Sequence, residues 1–168
     1  MCYGFGTMAY VRDINNLFNK TTAKLYAQIE HDGHFDKISH VSINRNTDMK
    51  IMMSYGPQKA ADNIKKLAFG KSPSTAEYPS HINESLASGD LILNDLLFEK
   101  LRSFSELFPF QGLSSNCVNW ASLGLWLNGI PNIGLHPFIL YGSIALYNTG
   151  IYDILASQPL YNLNNNNR

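Results

Sequence analysis

One cysteine of the chain stands where a thiol could act as a nucleophile. Cys117 lies in SSNCVNWASLGLWLNG, residues 114–129, between small polar residues and an apolar run typical of a helix. If Ser115 or Asn116 caps that helix, Cys117 falls in its first turn, where free backbone N–H groups and the helix dipole stabilise a thiolate. The same N–H groups would bind the oxyanion of an acyl-transfer intermediate. The pattern makes Cys117 a candidate nucleophile.

A nucleophilic cysteine needs a base, and His40 is the strongest candidate among the five histidines. It lies in KISHVSIN, where strict alternation predicts a strand with one polar face. We expect one face to carry Ile38, His40, Ser42 and Asn44, and the other to carry Val41 and Ile43. A rigid strand would hold the imidazole of His40 beside a packed helix. The other histidines lie in predicted turns or loops, or at the start of a later helix.

Two other uses of histidine stay open. His136 is a second candidate base for Cys117, although its place before Pro137 favours a role as a helix cap. A metal site is the other alternative, because imidazole and carboxylate groups suit Zn or Mn. Its candidate ligands, in HDGHFDKISH, are His31, Asp32, His34, Asp36 and His40. The leading interpretation, a thiol enzyme, requires neither a metal nor a cofactor.

Composition disfavours several classes of partner. Lys plus Arg and Asp plus Glu both total 13, so no broad cationic field is available to bind nucleic acid. The most apolar region, 117–156, is interrupted by Asn, Gly and Pro, and we expect no membrane span. We expect no disulfide between Cys2 and Cys117. No signal peptide is evident at the N-terminus, which is compatible with a cytoplasmic protein or with secretion by a signal-independent route.

The positions of these residues depend on the predicted elements. Alternation in KLYAQIEH, KISHVSIN and MKIMMSY, separated by turn formers, predicts a three-stranded antiparallel meander. Residues 71–85 are expected to form a long loop. Helices are predicted from Asp13, over 57–70, from Asp95 to Phe108, from Asn116 or Cys117 to Gly129, and from Pro137. The fold class is therefore α+β, with a small antiparallel sheet packed against helices. We expect one catalytic domain over 1–160 and a disordered Asn-rich tail over 161–168.

Three segments carry a family resemblance. SHVSIN, SNCVNWASLGLWLNGI and LHPFILYGSIAL, with the histidine strand before the cysteine helix, resemble the circularly permuted NlpC/P60 group of papain-like enzymes. That group includes lecithin retinol acyltransferase-like thiol acyltransferases and phospholipases. The resemblance implies a sheet packed on the cysteine helix, with Cys117 as nucleophile and His40 as general base and acid.

The resemblance also implies a third polar residue, on the strand after the histidine strand, that fixes the imidazole tautomer. This sequence has no histidine in the corresponding stretch TDMKIMMSYG. Ser54, Asn44 and Asp48 are the available substitutes. Asn44 is favoured because it is expected to share a strand face with His40.

The resulting hypothesis is a cysteine-dependent hydrolase or acyltransferase that cleaves an amide or ester bond. Its substrate would be a peptide, a peptidoglycan stem or a lipid acyl group. A small chain of this kind suits a bacterial effector or toxin, which would bring an immunity or delivery partner. The remaining alternative is a non-catalytic interaction module in which Cys117 is a core residue.

Overall fold

The structure, a computed structural model, describes residues 19–31, 36–59, 69–79 and 81–150, with the backbone alone at 31, 36 and 37. Several sequence predictions lie wholly or largely outside these residues. They are the helix from Asp13, the helix over 57–70, the histidine-rich turn and the tail over 161–168.

An antiparallel sheet forms the centre of the described fold. Its strands and those of a separate two-stranded ribbon are, in chain order, β1 (Lys20–His31), β2 (Asp36–Arg45), β3 (Ile51–Met53), β4 (Gly56–Pro57), β5 (Ser74–Thr75), β6 (Ser85–Ala87) and β7 (Leu91–Asn94). The sheet runs β3-β2-β1, and β6 and β7 both pair with β1; β4 and β5 form the ribbon. All of these pairings are antiparallel. The predicted meander of β1, β2 and β3 is confirmed.

Helices cover the sheet. Those described are α1 (Asp95–Ser105), α2 (Cys117–Leu127) and α3 (Pro137–Asn148). The predicted starts of α2 and α3 are confirmed, whereas α1 ends before the predicted Phe108. The hydroxyl of Ser105 donates to the carbonyl of Arg102 at the last turn, and Pro109 disfavours helical backbone at the residue before it. The mixed composition of sheet and helices confirms the α+β class.

The core lies between the sheet and the helices α2 and α3. On one face of the sheet, Leu25, Ala27, Val41 and Ile43 are fully buried. On α2, Val118, Ala121 and Leu125 are buried as well. A Cβ at Gly124 would lie 2.4 Å from the ring of Phe98, so this glycine allows α1 to approach α2 closely. No helix in the described ranges is long and apolar enough to cross a membrane.

Strand β2 contains one extra residue beside His40. In the pairing with β1, Gln28 lies opposite His40 but the next residue, Ile29, lies opposite Ile38. Ser39 is therefore the additional residue of a β-bulge, which reverses the alternation on its N-terminal side. The prediction that Ile38 shares a face with His40 is wrong, since Ile38 packs against the apolar core.

Candidate active site

The N-terminus of α2 is built by a local network of hydrogen bonds. Asn116 is the cap: its side-chain oxygen accepts from the N–H groups of Val118 (2.9 Å) and Asn119 (3.1 Å). The side-chain oxygen of Asn119 accepts from the backbone N–H of Asn116, which completes a capping box. Asn116 also donates to the carbonyl of Gly112 at 2.6 Å. Of the two caps that the sequence allows, the structure uses Asn116, and Cys117 is the first helical residue.

The sulfur of Cys117 is enclosed, with 7% of the residue exposed. Backbone N–H groups of Val41, Val118 and Cys117 itself lie near the sulfur and favour its charged form. Burial outweighs them and raises the pKa of the Cys117 thiol to about 11. The thiol is thus neutral at neutral pH in the protein alone, although the donors that would stabilise a thiolate are in place.

His40 is held through Ser54. Its Nε2 lies 2.9 Å from Oγ of Ser54, and the same hydroxyl lies 2.7 Å from the carbonyl of Tyr78. A carbonyl only accepts, so the single proton of Ser54 goes to Tyr78 and the proton of the His40 bond comes from Nε2. The imidazole is therefore the Nε2–H tautomer. Its Nδ1 keeps a lone pair that can accept a proton from a thiol.

Burial also sets the charge state of His40. It lowers the pKa of the imidazole to about 4, with Glu30 opposing that change and His81 adding to it. With the pKa of the thiol raised and that of the imidazole lowered, the neutral pair is favoured over a thiolate–imidazolium pair. A neutral imidazole is the form that acts as a general base.

Val41 connects the two groups. Its N–H lies near the sulfur of Cys117, and it directly follows His40 in β2. The thiol thus lies beside the strand next to His40, while alternation turns the side chains of Val41 and His40 to opposite faces of the sheet. Among the described residues no hydrogen bond joins the thiol and the imidazole.

The favoured third residue, Asn44, lies elsewhere. It shares the face of His40, but four residues along a strand correspond to about 13 Å. Its side chain accepts from Ser42 at 2.9 Å and donates to the carbonyl of Met49 at 3.1 Å. Asp48 forms an exposed ion pair with Arg45, which lowers the pKa of its carboxyl to about 2. Neither residue orients the imidazole.

The sequence leaves two other roles open for histidine, a second base at His136 and a metal site. Nδ1 of His136 accepts from the N–H of Phe138 at 3.2 Å and caps α3, as its place before Pro137 suggested. Of the five residues of the proposed metal site, only the side chain of His40 is described, and it bonds to Ser54. Within the described side chains no group of three potential metal ligands comes together.

The predicted loop after residue 70 is a fixed strap across the site. We define the strap as residues 71–79. Ser72 and Phe110 exchange two backbone hydrogen bonds, the hydroxyl of Ser74 donates to the carbonyl of Phe108, and the N–H of Ala76 donates to Glu106. The predicted long loop over 71–85 thus includes the two-residue strand β5 and a 3-10 turn over Ile82–Glu84.

Sequence reasoning missed Tyr78 and the backbone of Val41. Tyr78 lies in a segment with no periodicity, and its place beside His40 depends on how the strap crosses the sheet. The N–H of Val41 has no signature in a sequence, because every residue except proline has one. Ser54 was named as a substitute, and only the pairing of distant segments distinguishes it from Asn44.

The chain matches no protein-family model, no curated protein and no solved structure. The chemistry of the site therefore has to be argued from its own geometry. A thiol at a helix start, surrounded by N–H groups, and a neutral, fixed imidazole on the adjoining strand are the components of acyl transfer.

Proposed function

We propose that the protein is a cysteine-dependent hydrolase or acyltransferase in which Cys117 attacks a carbonyl and His40 acts as general base and acid. One observation carries the proposal. The hydrogen bond from Nε2 of His40 to Ser54 leaves Nδ1 able to accept a proton, and the N–H of Val41, the next residue in the strand, lies near the sulfur. Ser54, in place of Asn44, is the third polar residue.

The proposed first half-reaction transfers an acyl group to sulfur. The thiol proton of Cys117 passes to Nδ1 of His40 as the sulfur forms a bond to the carbonyl carbon. The oxyanion is stabilised by the N–H of Cys117, which as the first helical residue has no carbonyl acceptor within the helix and is not bonded by the Asn116 side chain. The bond to the leaving nitrogen or oxygen then breaks, and Nδ1 returns the proton to that atom.

The second half-reaction releases the acyl group. Water or another nucleophile gives a proton to Nδ1 of His40 and attacks the thioester carbon. The carbon–sulfur bond breaks, and the proton returns to the sulfur of Cys117. The neutral resting pair suits this route, because each proton moves only when a bond to carbon forms or breaks.

The arrangement favours the permuted NlpC/P60, papain-like class that the sequence resembles. In support, the histidine strand β2 precedes α2, the helix packs on the sheet, and Ser54 directly follows β3, the next strand after β2. On this proposal the substrate is an amide or ester of a peptide, a peptidoglycan stem or a lipid. The role of a bacterial effector or toxin is part of the same proposal.

Acylation of Cys117 is the direct test. The purified protein is mixed with p-nitrophenyl acetate and p-nitrophenyl octanoate, and nitrophenol release is followed together with the intact mass. We expect an initial burst and the mass of one acyl group on the peptide that contains Cys117. Cys117→Ala should abolish the adduct, and His40→Ala should slow acylation by about 10²–10⁴-fold.

Two substitutions serve as controls. Cys2→Ala removes the other cysteine, and His136→Asn keeps an acceptor at the cap of α3 while removing the other candidate base. Both should acylate like the parent protein. Acylation that survives Cys117→Ala, or that is lost in His136→Asn but not in His40→Ala, would contradict the proposal.

A further inference from the structure

Tyr78 contacts both members of the Ser54–His40 pair. Its ring lies against the imidazole, with ring centroids 5.2 Å apart. Its backbone brackets Ser54: the N–H of Tyr78 donates to the Ser54 carbonyl, and the Tyr78 carbonyl accepts from the Ser54 hydroxyl, both at 2.7 Å. A third bond, from the N–H of Ser54 to the carbonyl of Ala76, ties the same residue to the strap.

Gly56 makes room for this ring. A Cβ at Gly56 would lie 2.4 Å from two ring atoms of Tyr78, closer than real side chains approach. The three nearest atoms that such a Cβ would meet all belong to the side chain of Tyr78 and none to backbone. The absence of a side chain at Gly56 therefore gives the ring its space. Ring, strap and glycine thus form one packed unit beside His40.

We infer that Tyr78 is a positioning residue of the site: its ring and backbone hold Ser54 and His40 so that Nε2 of the imidazole faces Ser54 and Nδ1 stays available. The inference rests on the proposed role of His40 as the base. The ring limits rotation of the imidazole about its χ2 bond, which has a broad preference by itself. The backbone of Tyr78 uses the only proton of Ser54, which fixes the tautomer.

Charged groups also act on His40, so the test has to separate them from the ring. Among the described residues, Glu30 on β1 and His81 after the strap face the imidazole. Substitution of Tyr78 or Gly56 leaves both in place. Tyr78→Phe keeps the ring and all backbone contacts and removes only the hydroxyl, and is therefore the conservative variant.

The experiment measures the tautomer and titration of His40 by long-range ¹H–¹⁵N NMR of imidazole-labelled full-length protein. His40→Gln assigns the signal. In Tyr78→Ala and in Gly56→Ala we expect a mixture of tautomers and a titration midpoint that rises from about 4 by at least about one unit toward 6.5. Acylation of Cys117 by p-nitrophenyl acetate should fall by about 10- to 100-fold.

Tyr78→Phe and Gly142→Ala are the controls, and both should keep the parent signature. Gly142 lies in α3, and a Cβ there meets nothing within 4 Å. The double variant Gly56→Ala/Tyr78→Ala should match Tyr78→Ala alone, because the glycine acts through the ring. An unchanged tautomer and midpoint in both Tyr78→Ala and Gly56→Ala would overturn the inference. Absence of acylation in the parent protein would instead contradict the proposed function alone, since the NMR signature needs no turnover.

Discussion

The two halves of the candidate site are held by different kinds of contact. Around Cys117, the cap is made within a few residues, from Gly112 to Asn119, and the helix behind it is buried in the core. Around His40, each contact joins a distant segment: Ser54 is 14 residues away and Tyr78 lies on the strap. The cysteine half is therefore fixed once α2 forms and packs, whereas the histidine half requires the sheet and the strap together.

Loss of core packing behind α2 should have the largest effect on stability. Leu125 is fully buried, and Leu125→Ala should lower the free energy of unfolding by about 2–5 kcal/mol because it leaves a cavity. Urea denaturation measures this change. Leu127→Ala, at an exposed position of the same helix, is the control and should cost much less. Equal losses in the two variants would contradict the assignment of Leu125 to the core.

The histidine half should make stability depend on pH. The pKa of His40 is about 4 in the folded protein and 6.5 when unperturbed, so the unfolded chain binds the proton more tightly. The neutral imidazole contributes stability that is fully present above pH 6.5. As pH falls toward 4 this stability is lost, and the free energy of unfolding decreases by up to about 2–3 kcal/mol. Urea denaturation across this range, compared with His40→Gln, measures it. Parallel pH curves for the two proteins would show that His40 is not buried in its neutral form.

The cysteine half should show a slow thiol. Because burial raises the pKa of Cys117 to about 11 from 9.0, the thiolate fraction at pH 8 is small. Alkylation by iodoacetamide should be about 10- to 100-fold slower than that of a free thiol. The measurement uses Cys2→Ala so that one cysteine reacts, with the urea-denatured protein as reference. Faster alkylation in the folded than in the denatured protein would contradict a neutral resting thiol.

Removal of the cap tests the local network more finely. Asn116→Ala should cost about 1 kcal/mol, since two N–H groups of the first turn lose their acceptor. Asn116→Asp keeps the acceptor and should retain most of the stability. Thermal denaturation of the three proteins at one pH compares them. If Asn116→Asp is as destabilised as Asn116→Ala, the hydrogen bond to Gly112 is the more important contact.

The same contrast explains which parts of the site could be predicted from the sequence. The start of α2 and the cap of α3 depend on neighbours in the chain, and Asn116, Cys117 and His136 lie where the sequence places them. Ser54 and Asn44 could not be ranked, because contact across strands depends on register, which local residues do not specify. Asn44 shares a strand face with His40 but is too far along the strand to contact it, so a shared face alone does not identify a partner of the imidazole.

Alternation failed for a different reason. A period of two assumes one residue per step, and β2 takes two residues opposite one at Ser39. The small polar residues and prolines of the strap predict a loop, but its position depends on hydrogen bonds to Phe110, Phe108 and Glu106 across the fold, which the sequence of the strap does not indicate. Secondary-structure propensity depends on the residues of one segment. The conformations of β2 and of the strap depend instead on the distant residues with which they pair.

The bulge in β2 keeps Ile38 on the core face although the strand carries one more residue than its partner. The hydroxyl of Ser39 is buried without a hydrogen-bond partner, so Ser39→Ala should be neutral or slightly stabilising. Deletion of the same residue would restore a regular strand and leave Ile38 opposite Ile29 on the core face, whereas a regular strand that kept Ser39 would pair Ser39 with Ile29 and turn Ile38 out of the core. Among chains that share this fold, position 39 should tolerate many side chains and also the loss of this residue.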